Sequence, residues 1–278
     1  MTMKLYSDSD IQTIADAIRS KTGSSDTYKV SEMAQAISDI TGGYSLADLF
    51  NHEYAKEENV VIHGATSLMP YAFYQGTLKS FEADTMTHLG SLCNGRAAYA
   101  FAYCTDLESV SFPDLVSWGV DGYVFSNCIK LRSVYAPKAG LVMNLFEGCS
   151  SLVNVALGGD ANGGSNGNAF KNCYSLQRVD LGVASLKSYE FRYCSAINTL
   201  VLRNENLVTL ANINAFAGTP FASDGTGGTL YVPQSLITSY EADAKWATIL
   251  GYANNSIVAI EGSQYEDYYV DGRPVQTS

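Results

Sequence analysis

Apolar residues recur along the middle of the chain at fixed positions within a block of ten residues. Each block has the pattern Phe-x-x-Cys-x-x-Leu-x-x-Val, and the last copy carries Ile and Leu in place of Leu and Val. The five blocks begin at Phe101, Phe125, Phe146, Phe170 and Phe191. Four positions that recur in five copies at constant spacing indicate a repeat protein.

The spacing between the blocks shows which part of each repeat varies. Successive Phe residues lie 24, 21, 24 and 21 residues apart, and the Cys residues follow the same steps. Because the block keeps its length, the variation falls between one Val and the next Phe, which is therefore the predicted connector. Weaker copies begin at Phe73 and Phe216, as expected for the end coils of a stack.

The pattern predicts a right-handed solenoid with coils of about 23 residues. Leu107, Val110 and Phe112 are separated by polar residues, which is typical of a short strand with one buried face. Equivalent strands would stack into a parallel β-sheet with about 4.8 Å between neighbours. Phe and Cys would fill the interior from the turn opposite the strand. The predicted fold class is an α/β solenoid with its sheet on one face.

Two blocks carry a family resemblance. The sequences FAYCTDLESVSFP from Phe101 and FSNCIKLRSVYAP from Phe125 resemble the BspA type of leucine-rich repeat, and residues 230–246 are similar to the closing cap of that family. The resemblance covers residues 60–262 and implies an α/β leucine-rich-repeat solenoid. It also implies binding to other macromolecules, since such proteins are mostly bacterial surface or phage-encoded proteins.

Residues 7–41 carry apolar residues at helical spacing. Ser9 and Gln12 fit a capping box. Two apolar stripes follow: Ile11, Ile14, Ala15 and Ile18, then Met33, Ile37 and Ile40. We therefore predict a helical hairpin in residues 1–43. The stretch 14–37 is similar to N-terminal modules of tail- or baseplate-associated proteins in phages and prophages of Gram-positive bacteria, which implies attachment or homo-oligomerisation. The alternative is a cap that shields the first repeat.

These features divide the chain into four predicted segments. The hairpin occupies residues 1–43, the repeats 44–228, the cap 229–262 and an acidic, Tyr-rich tail 263–278. Asp271 and Gly272 suit a hairpin turn within the tail. Apart from such a turn, we expect the tail to be loosely held.

Composition excludes several classes of partner and location. Lys and Arg number 17 against 28 Asp and Glu, and a net charge of −11 argues against nucleic-acid binding. The sequence contains no run of 18 apolar residues, so it predicts no membrane span. Asp8 and Asp10 interrupt the place of a signal peptide, so we expect a virion- or tail-associated protein made in the cytoplasm. A cell-surface location is the alternative if a leader has been removed.

The chemistry-bearing residues predict neither a cofactor nor a metal site. Cys in the repeats is expected to be a buried free thiol, with Cys93 out of register and more exposed. The Gly- and Asn-rich stretch 158–168 has Asp160 as its one carboxylate, too few for calcium. His52, His63 and His88 belong to no catalytic motif. The chain is therefore predicted not to be an enzyme, and an enzyme with a cryptic site is the least favoured alternative.

The outward positions of the predicted strands are the candidate binding face. A solenoid presents such positions as one extended surface, and Arg and Tyr are frequent in recognition surfaces. The alternative for each residue is a merely solvated sheet. The candidate residues are Glu108, Ser111, Arg132, Tyr135, Asn154, Gln177, Arg178, Asp180 and Asn198.

The resemblances and the candidate face together predict a non-enzymatic recognition protein. The favoured interpretation is a phage or prophage tail-associated structural protein that binds a host-surface protein or glycan. Other virion or cell-surface proteins are further candidate partners, and the hairpin would provide a homo-oligomer contact. The alternative is a bacterial cell-surface adhesin of the BspA-like family.

Overall fold

A computed structural model describes residues 3–4, 58–62, 68, 70–83, 85–89, 98–119, 122–159, 167–266, 269–270 and 273–274. The predicted hairpin at 7–41, the interior of the Gly- and Asn-rich connector at 160–166, and Cys93 lie outside these residues. Within them, the chain is a parallel β-solenoid, and the predicted fold class is confirmed.

The described strands are short and follow one another along the stack. They are β1 (Met3–Lys4), β2 (Asn59–Ile62), β3 (Ser80–Ala83), β4 (Ser109–Ser111), β5 (Ser133–Tyr135), β6 (Asn154–Leu157), β7 (Arg178–Leu181), β8 (Ser185–Leu186), β9 (Thr199–Leu202), β10 (Thr209–Leu210), β11 (Thr229–Val232), β12 (Ser256–Ala259), β13 (Tyr269–Val270) and β14 (Arg273–Pro274). The two described α-helices are α1 (Ile237–Ala242) and α2 (Ala244–Leu250).

The main sheet has the order β1-β2-β3-β4-β5-β6-β7-β9-β11-β12 among the described strands, and every neighbouring pair is parallel. β8 and β10 form a second parallel pair. β13 and β14 pair antiparallel, with Val270 opposite Arg273 across the two residues at which a turn is predicted. Each successive coil therefore contributes one strand to the main sheet.

The register of the sheet aligns the repeated Val positions. Val110 pairs with Val134, and Val179 pairs with both Val155 and Leu200. All five side chains are buried, because each strand turns this residue toward the interior of the coil. The residues on either side of this position point to the opposite, outward face of the sheet, which we call the sheet face.

A column of Phe rings fills the interior opposite the sheet. The seven rings stack nearly parallel at 5.2 to 5.5 Å between centroids. The column runs through Phe73, Phe101, Phe125, Phe146, Phe170, Phe191 and Phe216. Stacked aromatic pairs contribute about 0.5–1.5 kcal/mol each beyond the area they bury. A single coil cannot form such a column, so the stack stabilises itself only as a whole.

The repeated Cys residues lie beside the Phe column and tie each coil to the one before it. Their thiols are free and buried, as predicted. The Sγ of Cys149 donates to the main-chain O of Phe125 at 3.0 Å, and the Sγ of Cys194 donates to the O of Phe170 at 2.9 Å. Burial raises the pKa of the Cys128 thiol well above its usual range. These thiols are structural hydrogen-bond donors.

The turn around each Phe from Phe73 to Phe191 uses the left-handed backbone region twice. In the coil of Phe101, Tyr99 has φ of 58° and Tyr103 has φ of 61°, two residues before and after the ring. The next three coils place Asn or Gly at the second position, such as Asn127 and Gly148, and the coil of Phe191 has Tyr193 there. A Cβ on Gly148, whose φ is 78°, would lie 2.6 Å from Oδ1 of Asn127. The turn geometry therefore excludes β-branched residues at these positions.

The two helices close the C-terminal end of the stack. Nε1 of Trp246 donates to the main-chain O of Val208 at 2.7 Å, and the main-chain N of Val208 donates to the Tyr240 hydroxyl at 3.2 Å. The Trp246 ring contacts Phe216, the last ring of the Phe column, at 6.0 Å between centroids. Helices α1 and α2 thus cover the interior that the next coil would otherwise cover. Among the described helices, none is long and apolar enough to cross a membrane.

Candidate functional site

The register places the nine candidate residues in three rows, one just before the strands at the margin of the sheet face and two on the sheet face itself. One row contains Glu108, Arg132, Gln177 and Asn198, since Arg132 N donates to Glu108 O at 2.9 Å and Asn198 N to Gln177 O at 3.1 Å. A second row contains Asn154 opposite Arg178. A third row runs from Ser111 through Tyr135, Ala156 and Asp180 to Val201. Solvent exposure differs from one row to another and along each row.

The N-terminal part of the sheet face is accessible. Glu108, Arg132 and Asn154 are exposed, and Ser111 and Tyr135 are partly exposed. These five residues lie on or beside β4, β5 and the start of β6, and we call them the open half of the sheet face. Gln177 and Asn198 are also exposed, at the margin of the later strands.

Arg132 differs from several lysines of the same coils in having no ion pair with any residue that the structure describes. Lys130 pairs with Asp106 of the preceding coil at 2.6 Å, and Lys138 pairs with Asp114 at 2.7 Å. Such inter-coil pairs hold a cation against the protein's own surface. Arg132, by contrast, is exposed directly before β5, and its guanidinium can contact a partner.

The later part of the sheet face is covered by residues 260–266, which we call the strap. Ile260 and Tyr265 pack with Ala156 and Val201 into an apolar cluster on the outward side of the sheet, against the partly buried Tyr231. Ile260 and Tyr265 are each 7% exposed. The expectation of a loosely held tail is therefore wrong for residues 263–266, because Tyr265 packs against an apolar surface of the sheet.

The predicted exposure of Asp180 is wrong as well, because its side chain is fully buried beneath the strap. Nε of Arg203 donates to Oδ1 of Asp180 at 2.8 Å and Nη2 donates to Oδ2 at 2.7 Å. The same Nη2 donates to the main-chain O of Tyr265 at 2.7 Å. Burial raises the pKa of Asp180 to about 6, and the Arg203 guanidinium opposes that shift. A solvent-excluded ion pair of this kind is structural.

Arg178 also makes internal contacts in this arrangement. Its guanidinium carbon lies 5.6 Å from the centroid of the Tyr265 ring, in the geometry of a cation–π contact. The Tyr265 ring meets Tyr231 edge-on at 4.6 Å between centroids. Of the nine candidates, Arg178 and Asp180 are thus engaged with the strap.

A cluster of tyrosines on the Phe-turn side was not among the predicted site residues. Tyr99 stacks between Tyr71 at 5.3 Å and Tyr123 at 4.9 Å, and Tyr74 meets Tyr103 edge-on at 5.8 Å between ring centroids. Tyr71 and Tyr103 are 46% and 43% exposed. We call these five residues the tyrosine cluster. The sequence signal was present, since Tyr recurs two residues before or after the repeated Phe.

The described residues provide no metal site, since no three His, Cys, Asp or Glu side chains among them come together. His88 is exposed, and its Nδ1 lies 3.1 Å from the Thr87 hydroxyl. His52 and His63 lie outside the described residues.

Comparison with known proteins supports the repeat assignment. The family profile described as BspA type Leucine rich repeat region matches the chain in six copies, over residues 58–152 and 123–223. These overlapping stretches span more than half of the chain. Among curated proteins, none matches it. The matched region begins at residue 58, so it does not support the resemblance of residues 14–37 to phage modules.

Proposed function

Because the chain belongs to the BspA-type leucine-rich repeat family, we propose that it is a non-enzymatic recognition protein that binds a macromolecule through the open half of the sheet face. Repeats of this family suggest a protein-binding or adhesion role. A stack of coils offers an extended and regular surface. Such a surface suits contact with a large partner better than enclosure of a small substrate, which needs a concave pocket.

The observation that carries the proposal is the placement of Arg132 and Tyr135 on or beside β5. Both reach solvent, Tyr135 on the sheet face and Arg132 at its margin, near the small polar side chains of Ser111, Ser133 and Asn154. Arg and Tyr contribute more binding energy than most residues at the centre of interfaces. Small neighbours leave these two side chains free to contact a partner closely.

In its finer form, the proposal is a phage or prophage tail-associated protein that binds a host-surface protein or glycan. The resemblance of residues 14–37 to tail-associated modules favours this form, and residues 1–43 would then attach the protein or join its copies. A bacterial cell-surface adhesin would use the same face. The neighbouring genes distinguish the two, since tail genes support the first form, and a leader with a wall anchor supports the second.

A binding screen tests the proposal. The full chain would be applied to purified cell walls from a panel of Gram-positive bacteria, to their extracted surface proteins and to a glycan array. We expect saturable binding to at least one surface. Comparing binding to the glycan array with binding to the extracted proteins distinguishes a glycan target from a protein target. Absence of binding to every surface, together with turnover of a small substrate, would favour the enzyme alternative and contradict the proposal.

A further inference from the structure

The strap covers a surface that continues the open half of the sheet face. Tyr135 of the open half pairs directly with Ala156, which lies beneath the strap on the neighbouring strand β6. Beyond Ala156, the same row continues through Asp180 and Val201. Without the strap, the accessible sheet face would extend from β4 to β11 without interruption.

The strap is built largely as a self-contained turn. Ser263 N donates to Ile260 O at 3.0 Å, Tyr265 N donates to the Ser263 hydroxyl at 3.1 Å, and Gly262 N donates to the Glu266 carboxylate at 2.7 Å. These three hydrogen bonds stay within residues 260–266. The start of the strap is fixed to the body of the protein, since Ile260 N donates to Val232 O at 2.9 Å and Gln234 N donates to the Glu261 carboxylate at 2.8 Å. Residues 262–266 are therefore able to swing away from the sheet about this fixed start, with loss of the one hydrogen bond from Arg203 to Tyr265 O.

The solenoid does not need the strap to close its end. Strand β12 and helices α1 and α2 already cover the last coil, and Trp246 is completely buried there. The strap instead lies on the opposite side of the sheet, where Ile260 and Tyr265 are its apolar contacts. Removing Tyr265 from the sheet would leave Asp180 still paired with Arg203, so a buried charge would not be left alone.

The geometry points to the strap being a displaceable cover over the second half of the recognition face. In the covered state, Tyr265 occupies the space over Arg178 and Tyr231. In the open state, those two side chains join Arg132 and Tyr135 in one continuous surface for the same macromolecular partner. The strap thus limits access to the face, and this part of the inference rests on the proposed function.

Thiol labelling of the full chain measures the opening without a partner. Ala156→Cys places a reporter beneath the strap, and Asn154→Cys places a matched reporter on the same strand in the open half. The buried thiols of the Phe turns, such as Cys128, report unfolding of the solenoid. Labelling by a pyridyl disulfide at pH 7.5 would be followed at each site by peptide mass spectrometry.

We expect the reporter at 156 to label more slowly than the reporter at 154 and faster than Cys128. Adding Tyr265→Ala should raise the rate at 156 by about tenfold or more, toward the rate at 154, while Cys128 stays protected. Equal protection of 156 and Cys128 would mean that the strap opens only on unfolding, and would overturn the inference. So would a rate at 156 that Tyr265→Ala leaves unchanged. Neither outcome depends on whether the screen finds a partner.

Discussion

The Sγ of Cys128 donates a hydrogen bond to the main-chain O of Phe101 at 3.0 Å, across 27 residues of sequence and one coil of the solenoid. The same O also accepts from the main-chain N of Cys104 at 3.1 Å. In the last coil, Thr219 stands in place of Cys, and its hydroxyl donates to Phe216 O of its own coil at 2.7 Å. The repeated Cys therefore connects coils in a way that Thr219 does not.

Truncation of this thiol should destabilise the protein moderately. Cys128→Ala removes a buried sulfur and one of two donors to Phe101 O, so we expect the free energy of unfolding to fall by about 1–2 kcal/mol. Urea denaturation measures the loss. Thr105→Ala, an exposed position in a neighbouring coil, is the matched control and should change stability little. Equal stability of the two variants would contradict the structural role of the thiol.

Glu190 occupies an interior position that is apolar in the other coils. The equivalent residues, each directly before the Phe of its coil, are Ala72, Ala100, Val124, Leu145, Ala169 and Ala215. Glu190 is 1% exposed, and neither carboxylate oxygen has a hydrogen-bond partner among the described residues. Burial raises the pKa of this carboxyl from 4.5 to about 7, and the nearby main-chain amides of Lys187 and Ala169 oppose the shift.

This carboxyl should make stability depend on pH. The folded state binds the Glu190 proton more tightly than the unfolded state, so its contribution is full below pH 4.5 and is lost as the pH rises through about 7. The loss corresponds to about 3 kcal/mol between the two limits. Glu190→Gln should remove this pH dependence. The free energy of unfolding of the variant, relative to that of the wild type, should therefore rise between pH 4.5 and pH 8. Urea denaturation at both values measures the gain, and a gap independent of pH would disprove the assignment.

The left-handed turn position at Asn172 gives a test of the backbone geometry. Asn172 has φ of 65°, and its N donates to Arg192 O of the next coil at 2.9 Å. Asn172→Val should lower the free energy of unfolding by about 1–2 kcal/mol, since β-branched residues disfavour this region. Asn172→Gly keeps the geometry accessible and should cost clearly less. Thermal denaturation compares the two, and a Val variant as stable as the Gly variant would refute the explanation.

The sequence predicts the interior well because the interior repeats. Phe125, Cys128, Leu131 and Val134 belong to one template, and stacking buries every copy in the same way. A contact that only one coil makes produces no repeated pattern in the sequence. The burial of Asp180 depends on Arg203 and on Tyr265, which lies 85 positions further along the chain. The spacing of Asp180 in the repeat predicts an exposed residue. This prediction is wrong because the strap covers Asp180.

The candidate site divides in the same way. Arg132, directly before β5, and Tyr135, on β5, are accessible, as their spacing predicts. The tyrosine cluster was not predicted, because outward strand positions do not include it and Tyr99 and Tyr103 lie in a turn with positive φ. Asn and Gly are the residues usually expected there. Repetition of Tyr around the Phe was the available signal.

The open half of the sheet face is the part of the protein that we propose contacts the partner. The most direct test is the affinity of surface variants for the cell wall, surface protein or glycan that binds the wild type. Arg132→Ala and Tyr135→Ala should each weaken binding by about tenfold or more if they lie at the centre of the interface. Tyr74→Ala and Tyr103→Ala, on the opposite side of the solenoid, should leave the affinity unchanged. Loss of binding in the second pair and not in the first would contradict the claim and move the site to the tyrosine cluster.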